Sequence, residues 1–237
     1  MTTMSRETPL VRKFVNARSP LRLLEKGLHG GLGSGNLGVV VAGHGVGKTS
    51  FLVGVAVDEL LRSGRVLHVS LSHNVTHVRA HYDTVFEELA QSTHLEDGPR
   101  IHAEIDRQRS IRVYPPNGLS TAKLRDAVKL ETEAGKKPSL IILEGLDLAA
   151  LAPSDVQDLK ALAEELLAEV WLESTSEERE IRVPDEVSAL GDLVSVILAL
   201  EPGDDAVRLR ALKDHDNPDL SELHVALDPR TLLLVRS

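Results

Sequence analysis

The stretch Val39-Val-Val-Ala-Gly-His-Gly-Val-Gly-Lys-Thr-Ser50 decides the fold class of this chain. Its first part is apolar like a buried strand, its middle is a glycine-rich turn, and an apolar helical pattern follows from Lys48. The bare backbone N–H groups of such a turn can surround a phosphate group, and the following helix directs its positive end at the same point. The sequence therefore predicts a strand, a phosphate-binding loop and a helix in an α/β protein.

The chemistry of this loop predicts its ligand. Lys48 is expected to reach the β and γ phosphates of a nucleotide, and the Thr49 hydroxyl is expected to bind Mg²⁺. The predicted ligand is ATP or ADP with Mg²⁺. The residues assigned to its binding are Gly43, His44, Gly45, Val46, Gly47, Lys48, Thr49 and Ser50.

Strands alternate with helices through most of the chain. The predicted strands are 38–42, 65–71, 110–114, 138–143 and one that begins at 169–172, and the predicted helices are 48–62, 74–90, 120–135 and 154–168. Asn74, Ser120 and Ser154 are the expected caps, and the polar stretch after Ala90 is expected to be a loop. This alternation predicts a mostly parallel sheet flanked by helices.

The pattern changes after Asp192 to short strands joined by turns. These strands are predicted at 193–200, 206–212, 223–227 and 232–235, and the Pro202-Gly-Asp-Asp205 sequence is typical of a hairpin turn. We therefore expect an antiparallel hairpin extension at the C-terminal side of the sheet.

Composition favours one domain without a membrane segment. The 237 residues, 42% of them hydrophobic, suffice for one substantial core, which we assign to residues 21–237, after a basic N-terminal arm at 1–20. No apolar run approaches the ~20 residues of a membrane helix. The chain has no cysteine, which is compatible with a reducing cytoplasm, the expected location.

Charge bears on the expected partners. The net charge of −9 and the total of three Phe, two Tyr and one Trp do not favour nucleic-acid binding, which needs basic groups and stacking rings. The segment 173–192 carries seven acidic residues against two arginines. We expect either a protein partner with a basic surface or a flexible, solvated loop.

These features resemble a known family. The chain is similar to the RecA-like ATPases, most closely to their KaiC-like and replicative-helicase branches, from about Leu21 to the C-terminus. The phosphate-binding loop is the specific part of the match. The glycine-rich segment 21–37 is similar to the lead-in of that family, and the segment 207–218 is similar to its C-terminal hairpin. The resemblance implies a RecA-like fold and assembly with copies of itself or with a protein partner.

The resemblance also implies an acid that holds Mg²⁺ at the end of an apolar strand. Glu144 follows the apolar run Ser139–Leu143 and is the first candidate, although the family usually has Asp there. Asp147 is the competing candidate. The longer Glu144 side chain would crowd a water-mediated contact or bind the ion more directly.

Some of the residues that promote ATP hydrolysis in this family are replaced in this chain. A glutamate is expected just past the second strand, but Val69-Ser-Leu-Ser-His-Asn74 contains no carboxylate. His73 is the candidate general base, because an imidazole titrates near neutrality; the alternative is that it begins a helix or contacts the nucleotide. Lys213 is the candidate for the positive finger that reaches a neighbouring subunit, but His215 stands where the family has a second, arginine finger.

Two further groups of residues belong to the predicted site. His73, His77 and His81 recur every four residues, which suits either a metal site or a polar face. Ser174 and Thr175 are candidates, with Ser72 and His73, to sense the γ phosphate.

The leading hypothesis is a nucleotide-dependent regulatory or assembly subunit with weak or absent hydrolysis. The alternatives are an active DNA-dependent ATPase and a structural paralogue that binds no nucleotide.

Overall fold

The computed structural model describes residues 19–178, 181–220 and 222–237. Its helices are α1 (Leu21–Gly27), α2 (Lys48–Leu61), α3 (Val75–Ser92), α4 (Gly98–Gln108), α5 (Thr121–Glu133), α6 (Pro153–Leu166) and α7 (Asp185–Ser188). Its strands are β1 (Leu37–Ala42), β2 (Val66–Ser70), β3 (Arg109–Val113), β4 (Leu140–Glu144), β5 (Glu169–Thr175), β6 (Val194–Pro202), β7 (Val207–Asp214), β8 (Val225–Leu227) and β9 (Leu234–Arg236). Two short 3-10 turns lie at Leu148–Ala150 and Gly191–Leu193.

All nine of these strands form one sheet in the order β3-β2-β4-β5-β1-β6-β7-β8-β9. The six strands from β3 to β6 in this order are parallel, and β7, β8 and β9 extend the sheet in antiparallel fashion. The prediction of a mostly parallel α/β sheet with an antiparallel C-terminal extension is confirmed. The Pro202–Asp205 turn joins β6 to β7, and Gly203 N donates a hydrogen bond to Ala206 O (3.0 Å).

Each face of the sheet has its own apolar core. Residues of α1 to α4 pack on one face, against side chains such as Val40, Ile142 and Trp171. Residues of α5, α6 and α7 pack on the other face, against Val41, Leu143 and neighbouring residues. The parallel strands are thus buried on both sides, and their carboxyl ends open onto one crevice, where open α/β sheets bind ligands.

Local signals placed most helix starts correctly. The Asn74 side chain accepts a hydrogen bond from His77 N (2.9 Å), and the Ser120 hydroxyl accepts one from Lys123 N (3.3 Å), as expected of helix caps. The predicted cap at Ser154 is wrong. Helix α6 begins at Pro153, and Asp155 Oδ2 accepts from Ala152 N (3.1 Å).

The predicted loop after Ala90 is also wrong in part, because α4 occupies its second half. The turn-like residues Asp97, Gly98 and Pro99 mark the start of this helix; Asp97 has a φ of +58° and Pro99 lies in the first turn. The helix presents only Ile101 and Ile105, one turn apart, to the core, and both are buried. The other residues of the helix are mostly polar, so the composition of the segment is that of a solvated loop. The predicted arm at 1–20 lies outside the described residues, apart from Ser19 and Pro20.

Candidate functional site

The loop between β1 and α2 has a backbone that its glycines permit. Gly45 and Gly47 have φ angles of +73° and +122°, which disfavour residues with a side chain. A Cβ atom on Gly45 would meet nothing within 4 Å, whereas one on Gly47 would lie 2.5 Å from Leu227 Cδ2. The backbone angle of Gly47 therefore favours glycine, and a larger residue would also displace the buried Leu227 side chain of β8.

A cleft of about 710 Å³ opens beside this loop at the carboxyl ends of the parallel strands. The lining combines the loop, four side chains after β2, one position after β4, two in β5 and three apolar residues of the C-terminal extension. These residues are 44–50, Ser72, His73, His77, His81, Gly145, Glu173, Thr175, Leu227, Pro229 and Leu232. The volume is in the range of small-molecule sites.

Lys48 is folded back onto its own loop. Its Nζ donates hydrogen bonds to Ala42 O (3.1 Å) and Gly43 O (3.3 Å). Burial lowers the pKa of Lys48, and the negative charges of Glu173 and Glu177 oppose that shift. A ligand phosphate would offer this amine a stronger partner than the two carbonyl groups.

Glu144 faces the same loop from the end of β4. The Thr49 hydroxyl donates a hydrogen bond to Glu144 Oε1 (2.6 Å), although the two residues are 95 positions apart. Burial favours the neutral acid, but His68 and the Thr49 hydroxyl outweigh it and hold the pKa of Glu144 well below its ordinary value. The structure thus brings together an ionised carboxylate and a hydroxyl, both of them oxygen ligands suited to Mg²⁺.

The competing acid, Asp147, is engaged elsewhere. Its Oδ1 accepts a hydrogen bond from Ala149 N (3.1 Å) at the start of a 3-10 turn. It belongs to the lining of a different pocket, beside α5 and α6. Of the two candidate metal ligands, only Glu144 contacts Thr49.

A buried histidine supports Glu144 from behind. His68 Nε2 lies 3.5 Å from Glu144 Oε2, and neither atom makes a hydrogen bond of good geometry in the described parts of the chain. On its other side, His68 Nδ1 lies 3.1 Å from the Tyr82 hydroxyl of α3. Sequence reasoning missed His68; the signal was its alternation with Ser70, which places both on the Glu144 face of the sheet.

His73, the predicted general base, lies against Glu144. Its Nδ1 is 3.3 Å from Glu144 Oε1 and 3.1 Å from the Ser72 hydroxyl. Its ring stacks on His77 with centroids 4.1 Å apart, and His77 Nε2 lies 3.2 Å from His81 Nε2. The three imidazoles form a row along one wall of the cleft, which we call the histidine row.

The described residues contain one set of three close metal-ligand atoms, and it lies outside the histidine row. It comprises Asp83, His102 and Asp106. Asp106 accepts hydrogen bonds from Arg79 (3.1 Å) and Arg109 (2.5 Å). The two guanidinium groups already neutralise this carboxylate, so the set is an ion-pair network rather than a metal centre.

A second carboxylate, Glu173, reaches the cleft and was not singled out by the sequence. It extends from β5, which lies between β1 and β4, and its Oε1 accepts a hydrogen bond from Gly145 N (2.9 Å). Burial, together with the nearby charge of Glu144, raises the pKa of Glu173 above its ordinary value. Ser174 and Thr175, the β5 residues predicted to sense the γ phosphate, differ in their contacts. Thr175 lines the cleft, whereas the Ser174 hydroxyl donates a hydrogen bond to Glu186 (2.7 Å).

The C-terminal candidates lie away from the cleft of their own chain. Lys213 Nζ donates to Gly191 O (3.4 Å) and is not part of the cleft lining. His215 Nε2 lies 3.1 Å from Leu32 O, and Asp214 lies 2.6 Å from His29 Nδ1. These contacts join the end of β7 to the glycine-rich lead-in; they leave the role of Lys213 toward a second subunit as a prediction.

Comparisons with known proteins add no relative. Neither the models of protein families nor the curated protein sequences give a match to this chain. In the described part of the chain, each helix is too short or too polar to span a bilayer.

Proposed function

We propose that this chain binds Mg-ATP or Mg-ADP in the cleft of a RecA-like domain, closest to the KaiC-like and replicative-helicase branches. Its output is a nucleotide-dependent change in regulation or assembly, with weak or absent hydrolysis. The observation that carries the proposal is the 2.6 Å hydrogen bond from Thr49 to the ionised Glu144 at the mouth of the glycine-rich loop.

Each part of a nucleotide has a matching surface in the cleft. The backbone N–H groups of the loop and the start of α2 suit the phosphates, and Lys48 adds a positive charge. Thr49 and Glu144 would hold Mg²⁺, which neutralises phosphate charge when bound. Leu227, Pro229 and Leu232 offer an apolar surface for the nucleoside.

Weak hydrolysis follows from the other end of the cleft. The segment after β2 supplies Ser72 and His73 in place of a carboxylate, and His73 is already beside Glu144. His215 takes the place of an arginine finger, and its contacts are with Leu32 and Asp214. Such a finger contributes on the order of 10³-fold or more to phosphoryl transfer.

Nucleotide binding would change contacts that connect the glycine-rich loop to helix α3. Lys48 must leave the carbonyl groups of Ala42 and Gly43 to reach a phosphate, and a bound ion would compete for the Thr49 contact with Glu144. Glu144 touches His73 at the start of α3. A ligand that prefers one of these arrangements shifts the population of α3 positions, which a second copy or a protein partner can recognise.

Calorimetric titration of Mg-ATP and Mg-ADP tests the proposal, with Lys48→Ala as the variant. Removing the phosphate-binding charge is expected to weaken binding by about 100-fold or more, because hydrogen bonds between charged groups contribute ~1.5–3 kcal/mol each. Lys137→Ala is the control, since this exposed lysine precedes β4 at the opposite end of the sheet. Equal affinity of wild type and Lys48→Ala, or no binding by wild type, contradicts the proposal.

A further inference from the structure

Glu173 lies on the strand between the loop strand and the strand that ends in Glu144. Strand β5 separates the loop strand β1 from the Glu144 strand β4, and Val40 of β1 is paired with Glu173. Leu143 is paired with Leu172, so Glu144 and Glu173 follow one another across neighbouring strands. Both side chains belong to the face of the sheet that α2 covers, because they alternate with Leu143 and Leu172 of the opposite face.

One oxygen of Glu173 is fixed and the other is available. Oε1 accepts the hydrogen bond from Gly145 N at 2.9 Å, which orients the carboxylate. Within residues 19–178, 181–220 and 222–237, Oε2 accepts no hydrogen bond. Glu173 is partly buried and close enough to Lys48 and His73 for their charges to lower its pKa, against the larger effects of burial and Glu144. Glu173 therefore presents to the cleft an acceptor oxygen that is not engaged by these residues, close to the lysine expected to reach the γ phosphate.

Two other candidate bases, Glu144 and His73, are already engaged by neighbouring groups. Glu144 Oε1 already accepts from Thr49 and contacts His73, and Glu144 would hold the metal ion. His73 Nδ1 lies between Glu144 and the Ser72 hydroxyl, and its ring stacks on His77. A general base needs a free acceptor atom within reach of the attacking water.

We propose that Glu173 is the catalytic general base of a slow ATP hydrolysis in this cleft, in place of the glutamate missing after β2. This inference rests on the proposed nucleotide-binding function and adds a reaction to it. The oxygen of a water molecule attacks the γ phosphorus as the bond from that phosphorus to the β–γ bridging oxygen breaks. The bridging oxygen keeps the electron pair and leaves with ADP, the water proton passes to Glu173 and then to solvent, and the products are ADP and inorganic phosphate.

Glu173→Gln tests this role, because it removes the basic oxygen and keeps an oxygen that can accept from Gly145 N. We expect phosphate release in a single turnover to fall by about 100-fold, or to the level of Lys48→Ala, as general-base contributions of ~10²–10⁴ suggest. The Mg-ADP dissociation constant should stay within about threefold of wild type, since the base acts mainly in the transition state. Glu178→Gln, an exposed charge change on the same segment, should match wild type in both measurements.

A binding measurement independent of turnover completes the test. ADP with aluminium fluoride mimics the transition state, and its affinity for Glu173→Gln should fall by about tenfold while the ADP affinity is retained. Retained ADP binding also shows that the variant is folded. Equal phosphate release by Glu173→Gln and wild type overturns the inference, as does wild-type release no greater than that of Lys48→Ala despite nucleotide binding. Failure of wild type to bind ATP and ADP overturns the proposed function itself, and the inference with it.

Discussion

The two ends of the cleft differ in how closely they follow the pattern of a nucleotide hydrolase. At the loop end, Lys48 and Thr49 have the types and positions expected for phosphate and Mg²⁺ binding, and Glu144 stands where the resemblance implies an aspartate. At the far end, the histidine row lines the wall after β2, and the carboxylate in the cleft comes from β5 instead. Under the proposed function, nucleotide binding would depend on the first end and turnover on the second, so a chain can change one while keeping the other. This is why the two properties must be measured separately.

After Lys48→Ala, the largest effect on the loop end is expected from Gly47→Ala. The added Cβ would lie 2.5 Å from Leu227 Cδ2, and the φ of +122° is strained for alanine. Backbone strain of ~1–3 kcal/mol favours a relaxed loop conformation that does not suit the phosphates, so we expect Mg-ATP affinity to fall by about 10- to 100-fold. Strain that is not relieved lowers the melting temperature. Gly98→Ala is the control, because its Cβ would meet nothing within 4 Å and its φ is not positive. An unchanged affinity in Gly47→Ala would mean that this loop is not the phosphate-binding element.

Thr49→Val separates the metal contribution from the phosphate contribution. The substitution keeps the branched shape but removes the hydroxyl that donates to Glu144. We expect about tenfold weaker ATP binding when Mg²⁺ is present, and little change when it is chelated, since a metal ligand matters only with the metal. Thr84→Val, at an exposed position of α3, serves as the control in the same titrations. A loss of equal size with and without Mg²⁺ would argue against Thr49 as a metal ligand.

The sequence predicted the loop end better than the far end, for physical reasons. Gly43–Thr49 is a continuous segment, so its chemistry is visible without knowledge of the fold. The pairing of Thr49 with Glu144 required a family resemblance, because the two residues are distant in sequence. Glu173 and His68 were missed because their proximity to Glu144 depends on the order of the strands, which brings β5 and β2 to either side of β4.

The same reasoning applies to the secondary structure. Helix α3 was recognisable because Asn74 caps it and its apolar residues recur with helical spacing. Helix α4 was missed because Asp97, Gly98 and Pro99 favour a turn and most of its residues are polar, although Ile101 and Ile105 pack in the core. Tertiary contacts thus decide a segment whose local preferences are weak.

The smallest expected effect concerns the histidine row. It tests whether side chains at the far end of the cleft also contribute to nucleotide affinity. Imidazoles gain positive charge as the pH falls, so the charge on His81 would attract the phosphates more strongly at low pH. Burial lowers the pKa of His81, followed in size by the effect of His77, while Glu144 opposes the shift. The charge of His81 therefore develops below the ordinary pH range of histidine, and the affinity gain should continue there.

The measurement is the Mg-ADP dissociation constant between about pH 8 and pH 5.5, compared with the same titrations of a His77→Gln, His81→Gln double variant. We expect wild type to tighten by about threefold more than the double variant on acidification, because an exposed charge interaction contributes ~0.2–1 kcal/mol. Protonation of the nucleotide itself affects both proteins equally and cancels in this comparison. His94→Gln, an exposed histidine in the loop after α3, should behave as wild type. Parallel pH profiles for wild type and the double variant would show that the histidine row does not act on the phosphates.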